Sequence, residues 1–131
     1  MPADVELLKR VYERFNARDI EGVLAFLHGD VVWANGQDGG HVHGHDGVRG
    51  YWTRQWAMID PHVAPVAFST GSDGEVVVEV HQIVRNLQGD VLVDQMVGHI
   101  FRIEGGLVFF PRGARFGDVR PLLLAGVHDF F

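Results

Sequence analysis

The sequence contains no cysteine in its 131 residues. This absence excludes disulfide bonds, thiol nucleophiles and thiolate metal sites. Lysine is nearly missing too, because ten of the eleven basic residues are arginine and Lys9 is the exception. Such a bias is typical of GC-rich bacterial genomes. No hydrophobic run is long enough to span a membrane, and no signal segment follows Met1, so a cytoplasmic protein is expected.

Positive charge is also scarce, since 17 acidic residues stand against 11 basic ones and give a formal charge of -6. An acidic chain is repelled by phosphate backbones and anionic lipids, so neither nucleic acid nor a membrane is expected as a partner. Hydrophobic residues make up 47% of the sequence, which is enough to form a core. The length suits a single domain over residues 1–131.

Apolar side chains recur at the spacing of a helix in the first half of the sequence. The pattern predicts helices over 5–17, 20–27 and 48–59, and Asp19 is expected to cap the second of them. Between the last two helices, segment 36–47 is rich in glycine, aspartate and histidine and is expected to be a loop.

The second half has the pattern of strands joined by tight turns. After a short strand at 31–34, the predicted strands are 63–69, 75–85, 91–103 and 107–116. Because no helix separates the long strands, they are expected to pair antiparallel, with a bulge or a sheet edge at Pro111 and Gly113. This order predicts an α+β fold in which helices cover one face of a curved sheet, with a pocket between the layers.

Three segments resemble the nuclear transport factor 2-like (NTF2-like) superfamily, which includes ketosteroid isomerases, SnoaL-type polyketide cyclases and scytalone dehydratase. Segment 16–27 (NARDIEGVLAFL), followed by VVW at 31–33, is similar to the superfamily's opening helices and first strand. Segment 44–52 (GHDGVRGYW) is similar to its third helix start, and segment 99–108 (HIFRIEGGLV) to its closing hairpin. These motifs specify the fold well and the reaction poorly, since one fold hosts many chemistries.

The resemblance implies a cone-shaped, strongly curved mixed β-sheet covered by three N-terminal helices. It also implies a homodimer joined through sheet faces, a small hydrophobic molecule as partner, and no cofactor.

By the same resemblance, His99 occupies the pocket-facing position where steroid isomerases carry a protonated aspartic acid. Strand alternation places Val97, His99 and Phe101 on one side of their strand. An imidazole can donate a hydrogen bond and can act as acid or base, so His99 is a candidate catalytic residue. A buried histidine that merely holds the sheet is the alternative.

Two positions depart from the steroid isomerases. Asn35 falls where they carry the base aspartate, and an amide cannot abstract a proton, although it can orient a substrate by hydrogen bonding. Val11 falls where they carry the tyrosine of the oxyanion hole, with Tyr12 adjacent on the same helix. A steroid isomerase is therefore not expected.

Histidines alternate at positions 41, 43 and 45 of the predicted loop. An extended His-x-His places two rings on one side, but the loop lacks a clear third ligand, so no metal site is predicted. The favoured interpretation is that His43 points inward and supplements His99, while His45 and Asp46 begin the next helix facing water.

Two further polar residues interrupt apolar strands. Arg112, pointing into the cone by resemblance, either binds a substrate carboxylate or enolate or pairs with an acid such as Asp94. Gln82 lies in a row of valines and hydrogen-bonds either a ligand or the backbone at a bulge. Aromatic residues are expected to form the pocket walls: Trp33, Trp52, Trp56, Phe101, Phe110 and Phe116.

The leading hypothesis is a cofactor-independent isomerase, dehydratase or cyclase acting on a hydrophobic, oxygenated substrate. His99 would serve as acid or base, while Asn35, Gln82, Arg112 or Tyr12 orients the substrate. Two alternatives remain open: a non-catalytic binding protein for a hydrophobic ligand, and a dimeric scaffold whose interior is filled by its own aromatic side chains.

Overall fold

The computed structural model describes residues 2–34, 41–70 and 75–113. Three helices and six strands occur in this part of the chain. They are α1 (Pro2–Asn16), α2 (Ile20–Leu24), β1 (Val32–Ala34), β2 (His41–His43), α3 (Gly44–Trp56), β3 (Ile59–Thr70), β4 (Val76–Asn86), β5 (Val91–Glu104) and β6 (Leu107–Gly113). The order confirms the α+β fold expected from the sequence.

Local sequence accounts for the first two helices. The stripe Leu8, Tyr12 and Phe15 on α1 is fully buried, as its helical spacing predicts. Asp19 caps α2, because its carboxylate accepts a hydrogen bond of 2.9 Å from the amide of Gly22. A side chain at Gly22 would collide with that carboxylate, since an added Cβ would lie 2.3 Å from it.

The long strands form one antiparallel sheet in the order β3-β4-β5-β6. The register shifts at 65/67, 84/85 and 102/103, and such bulges increase the local bend of a sheet. Strand β6 is the last strand in this order, which is the edge position expected from Pro111. Its Val108 also exchanges backbone hydrogen bonds of 2.8 and 2.7 Å with Phe26 and His28.

The segment expected to be a loop contains strand β2. It pairs antiparallel with β1, with Val32 opposite His43 and Ala34 opposite His41. Val42 packs against the core while the histidines on either side are exposed. A single apolar residue between polar ones is too short a pattern to predict a strand, so the partner strand determines the structure here.

The core lies between the helices and the inner face of the sheet. Along β4 the buried positions alternate strictly, from Val76 through Val78 and Val80 to Gln82 and Val84. The inner face therefore carries valines with one buried glutamine among them. In the described residues, no helix is both long and apolar enough to cross a membrane.

Candidate functional site

A buried tyrosine–histidine pair joins the helix layer to the sheet. The hydroxyl of Tyr12 on α1 lies 2.7 Å from Nδ1 of His99 on β5. Tyr12 is 1% and His99 2% exposed. Because both groups are removed from water, the hydrogen bond between them is stronger than it would be at the surface.

Apolar and aromatic side chains surround this pair. Phe101, two residues along β5 from His99, places its ring edge-on to both partners, with centroids 6.0 Å from each. Val78 lies directly opposite His99 on β4, and Val97 precedes it on the same face; both are buried. The arrangement provides two proton-carrying groups in an apolar setting, which suits acid–base chemistry on a substrate shielded from water.

Other predicted residues fall on the same interior. Trp33 and Trp52 are buried, and Trp56 is half-buried. They form one cluster, since the Trp33 and Trp52 centroids lie 5.1 Å apart and the Trp52 and Trp56 rings stack at 5.7 Å. Phe15 of α1 contacts the rings of Trp52 and Trp56 at 5.1 and 5.2 Å, so the cluster spans α1 and α3.

Gln82 is completely buried on the inner face of β4. Its carbonyl oxygen accepts a hydrogen bond of 2.8 Å from Nε2 of Gln95, the residue directly opposite on β5. A buried glutamine among valines requires a hydrogen-bonding partner, and Gln95 provides one. It lies two rows from His99 along the sheet.

The expectation that His43 points inward is wrong. In β2 the side chain of His43 is exposed, because Val42 takes the inward position and strand alternation turns its neighbours outward. His45 does not simply face water either. Its Nε2 lies 2.9 Å from the carbonyl oxygen of Leu27, so the ring ties the start of α3 to the end of the α2 segment.

Four predicted site residues lie wholly or partly outside the described structure. Asn35 and Phe116 are outside the described residues, and so are the side chains of Phe110 and Arg112. The backbone register places Arg112 opposite Ile100, whereas His99 is opposite Gly113. The suggested acid partner of Arg112, Asp94, is hydrogen-bonded at 2.6 Å to Nε2 of His81.

Metal binding finds no support in the part of the chain that the structure describes. There, no three histidine, aspartate or glutamate side chains are grouped so that they could hold an ion. His41 and His43 are exposed on a two-stranded ribbon.

Sequence reasoning missed one polar residue of the interior, Gln55 on α3. It is fully buried, and its Nε2 donates a hydrogen bond of 3.0 Å to the hydroxyl of Tyr51 one turn earlier. The signal was available, because Gln55 lies seven residues after buried Val48 and four after Tyr51, on one helical stripe.

The comparisons with known proteins agree with this architecture. The sequence profile of the SnoaL-like domain matches residues 8–109. An NTF2-like protein of unknown function from Burkholderia pseudomallei is 28% identical, with a TM-score of 0.76 over 87% of this chain and 91% of its own. TerC, crystallised with polyporic acid, is 25% identical, with a TM-score of 0.75 over 86% of this chain and 90% of its own.

A further similar structure is Rv0760c from Mycobacterium tuberculosis in complex with estradiol-17β-hemisuccinate. It is 19% identical, with a TM-score of 0.72 over 85% of this chain and 92% of its own. No protein of curated function matches the sequence significantly. The profile match covers well over half of the chain, and the resemblance of the three sequence motifs is confirmed: the chain belongs to the SnoaL-like family of the NTF2-like superfamily.

Proposed function

We propose that the protein binds a small hydrophobic molecule bearing a carbonyl oxygen and performs proton-transfer chemistry on it with Tyr12 and His99. The observation that carries this proposal is the 2.7 Å hydrogen bond between these two residues inside the helix–sheet interior. Two similar structures hold small organic ligands, polyporic acid in TerC and a steroid ester in Rv0760c, which supports the choice of ligand class.

The pair can divide the work of enolisation. When Nδ1 of His99 carries a proton and donates it to the Tyr12 oxygen, the tyrosine O–H is left to donate to a substrate carbonyl. In the same tautomer Nε2 has a lone pair and can act as the base. Tyr12 then stabilises the oxygen at which negative charge develops. Nε2 faces away from Tyr12, so the proton of the neighbouring carbon passes to His99 through one bridging water.

The proton on His99 then has three possible destinations, which define three reaction types. Its return to a different carbon gives isomerisation. Its delivery to a leaving hydroxyl gives dehydration. Attack of the enolate carbon on a second carbonyl, with the proton passing to the new alkoxide, gives an aldol cyclisation. Each reaction needs only proton transfer, which Tyr12 and His99 can provide.

Proton exchange in D2O tests this proposal without knowledge of the natural substrate. We expect the protein to accelerate deuterium incorporation next to the carbonyl of 2-tetralone, a small apolar ketone, as followed by NMR. His99→Gln should lower the rate constant about 10²-fold or more, and Tyr12→Phe about 10-fold or more, because they lose the base and the oxygen donor.

His81→Gln is the matched control, because His81 is a surface histidine on β4 bonded to Asp94. It should exchange 2-tetralone at the wild-type rate. Equal rates in the wild type, Tyr12→Phe and His99→Gln would contradict the catalytic role. Ketone binding by calorimetry that persists without exchange would instead favour a binding protein.

A further inference from the structure

The last turn of α3 carries a buried amide whose carbonyl oxygen has no hydrogen-bond donor in the described residues. Gln55 is 0% exposed, and its Nε2 is bonded to the hydroxyl of Tyr51. Its Oε1 is buried and accepts no hydrogen bond from the described chain. Folding rarely tolerates such a group, because removing a carbonyl from water without a new donor is costly.

The bond to Tyr51 fixes the amide's orientation. One end of the amide contacts the tyrosine hydroxyl, so the other end must point away from it. Turning the amide by 180° would exchange its oxygen and nitrogen and would still leave one polar end open. In either orientation, therefore, one polar end of the amide has no partner among the described residues.

The next residue, Trp56, also has a buried polar atom without a partner in the described residues, and this atom is a donor. Nε1 of Trp56 is buried and donates no hydrogen bond within the described residues. The last turn of α3 thus carries one acceptor, on Gln55, and one donor, on Trp56, that have no partner in the described residues. A hydroxyl group can both donate and accept, which makes it the chemistry suited to this end of α3.

This turn belongs to the same interior as the tyrosine–histidine pair. Phe15, three residues after Tyr12 on the buried stripe of α1, contacts the rings of Trp52 and Trp56. Stacked indoles on this side provide an apolar wall for a flat ring. Buried polar groups thus occur on β5 with α1 and on α3, and aromatic contacts join α1 to α3.

We propose that Gln55 is a specificity-determining residue whose carbonyl oxygen accepts a hydrogen bond from a hydroxyl group of the ligand. This inference rests on the proposed function and narrows its substrate class to hydroxylated cyclic ketones. The carbonyl lies at Tyr12 and His99, and the hydroxyl lies at the end of α3. A ligand lacking that hydroxyl leaves the buried amide carbonyl unsatisfied and is used about 10-fold less efficiently.

Thermal unfolding of the ligand-free protein gives the first test. Gln55→Met replaces the unsatisfied amide by an apolar side chain of similar length, so we expect a melting temperature equal to or above that of the wild type. Gln82→Met is the matched control, because Gln82 is equally buried and its carbonyl oxygen, unlike that of Gln55, accepts a hydrogen bond, from Gln95. It should lower the melting temperature by about 3–6 °C.

A Gln55→Met protein that loses as much as Gln82→Met would overturn the inference. That result would mean that the carbonyl is satisfied in the free protein, for example by an internal water, and that the residue is structural.

Substrate discrimination gives the second test. The exchange assay is repeated with 6-hydroxy-2-tetralone and 7-hydroxy-2-tetralone beside 2-tetralone. For at least one isomer, we expect Gln55→Met to lower the ratio of its kcat/KM to that of 2-tetralone about 10-fold, the effect of one lost hydrogen bond. Comparing ratios cancels the effect of the hydroxyl on the acidity of the ketone.

The two proposals fail in different ways. The proposed chemistry would be refuted if His99→Gln exchanged the ketones as fast as the wild type while Gln55→Met still lowered the ratio of kcat/KM values. An unchanged ratio in Gln55→Met for both isomers, with exchange still dependent on His99, would refute the role of Gln55 and leave the chemistry standing. If wild-type protein exchanges none of the ketones, the proposed function is wrong, and the unfolding comparison still decides whether the amide is unsatisfied.

Discussion

Arg18, two residues after the end of α1, adopts the left-handed conformation, with φ 62°, at a position where glycine is usual. Its side chain offsets the strain. It donates hydrogen bonds to the carbonyl oxygens of Phe15 and Pro61 at 3.2 and 2.5 Å, pairs with Asp60, and lies over the ring of Trp56 at 5.0 Å. One residue thereby joins the end of α1 to β3 and α3.

Two substitutions separate strain from contacts at this position. Arg18→Ala and Arg18→Gly lose the same interactions, but only alanine keeps the cost of a left-handed backbone. We expect Arg18→Gly to be more stable than Arg18→Ala by about 1 kcal/mol, measured by urea unfolding. Equal stabilities, or a more stable alanine variant, would contradict the strain at this residue.

Residue identities gave the candidates for the site but not their partners. His99 and Tyr12 were both candidates, yet 87 positions separate them, and only the packing of α1 on β5 brings them together. His43 was misassigned because its orientation depends on β2, which a three-residue pattern cannot reveal. Gln55 was overlooked because the helix prediction weighed the apolar positions of its stripe and ignored the polar one.

At the scale of an element, β3 is the first strand of the sheet formed by the described residues, and its first half is closed to further pairing. The residues whose backbone groups face outward alternate along the strand, and they include Pro61, Val63 and Pro65. Proline has no N–H to offer there. Val63 is satisfied by Asn16 of α1, whose side-chain amide accepts from its N–H at 3.0 Å and donates to its carbonyl at 2.7 Å.

Asn16→Ala should weaken this edge. Two hydrogen bonds are lost and the backbone of a buried residue is left without them, so we expect a loss of about 2 kcal/mol in the free energy of unfolding. Hydrogen exchange should accelerate at the Val63 amide. Thr53→Ala, which removes an exposed hydroxyl on α3, should change stability by under about 0.5 kcal/mol and is the control. Unaltered hydrogen exchange at the Val63 amide would show that the two hydrogen bonds from Asn16 do not stabilise this edge.

The sequence predicted most elements but shortened this one. Strand β3 begins at Ile59, before Pro61, whereas the predicted strand began at Val63, after Pro61. Proline argues against a central strand, and an edge strand tolerates it where the missing N–H would face outward. Edge position is a property of the whole sheet, so local pattern could not supply it.

At the scale of the whole molecule, charged residues link helices that are apart in sequence. Arg49 of α3 donates to both carboxylate oxygens of Glu21 on α2, at 2.8 and 3.1 Å, and to Asp46 at 2.5 Å. The hydrogen bonds from Arg49 lower the pKa of Glu21 below its ordinary value of 4.5. The pair is exposed, so salt screens it.

Stability should therefore depend on pH through Glu21. A carboxyl with a lowered pKa in the folded protein stabilises it above the unfolded value, and this contribution is lost as the pH falls through the folded value. We expect Glu21→Gln to unfold at lower urea than the wild type at pH 7 and low salt, and the difference to shrink as the pH falls below the ordinary pKa of 4.5 and the Glu21 carboxylate is protonated. A difference that persists in acid would contradict the ion pair as its cause.

The fold of the whole chain was the most predictable feature, because caps, turns and alternation all favoured one architecture. The predicted α+β arrangement and the superfamily are both confirmed. The homodimer expected by resemblance stays a prediction. Hydrophobic periodicity predicts the helices and strands of one chain, but it does not predict whether the surfaces of two chains fit each other.

The aromatic cluster gives the protein a single optical centre. Its three tryptophans, at positions 33, 52 and 56, are linked by ring contacts. Excitation absorbed by any indole can migrate to the others, so emission reports on α3 and its surroundings as one signal. The Trp52 and Trp56 rings, 5.7 Å apart, are close enough for their transitions to couple. A molecule that binds between the helices and the sheet should change the tryptophan emission, whereas fraying of the β4–β5 hairpin should leave it unchanged.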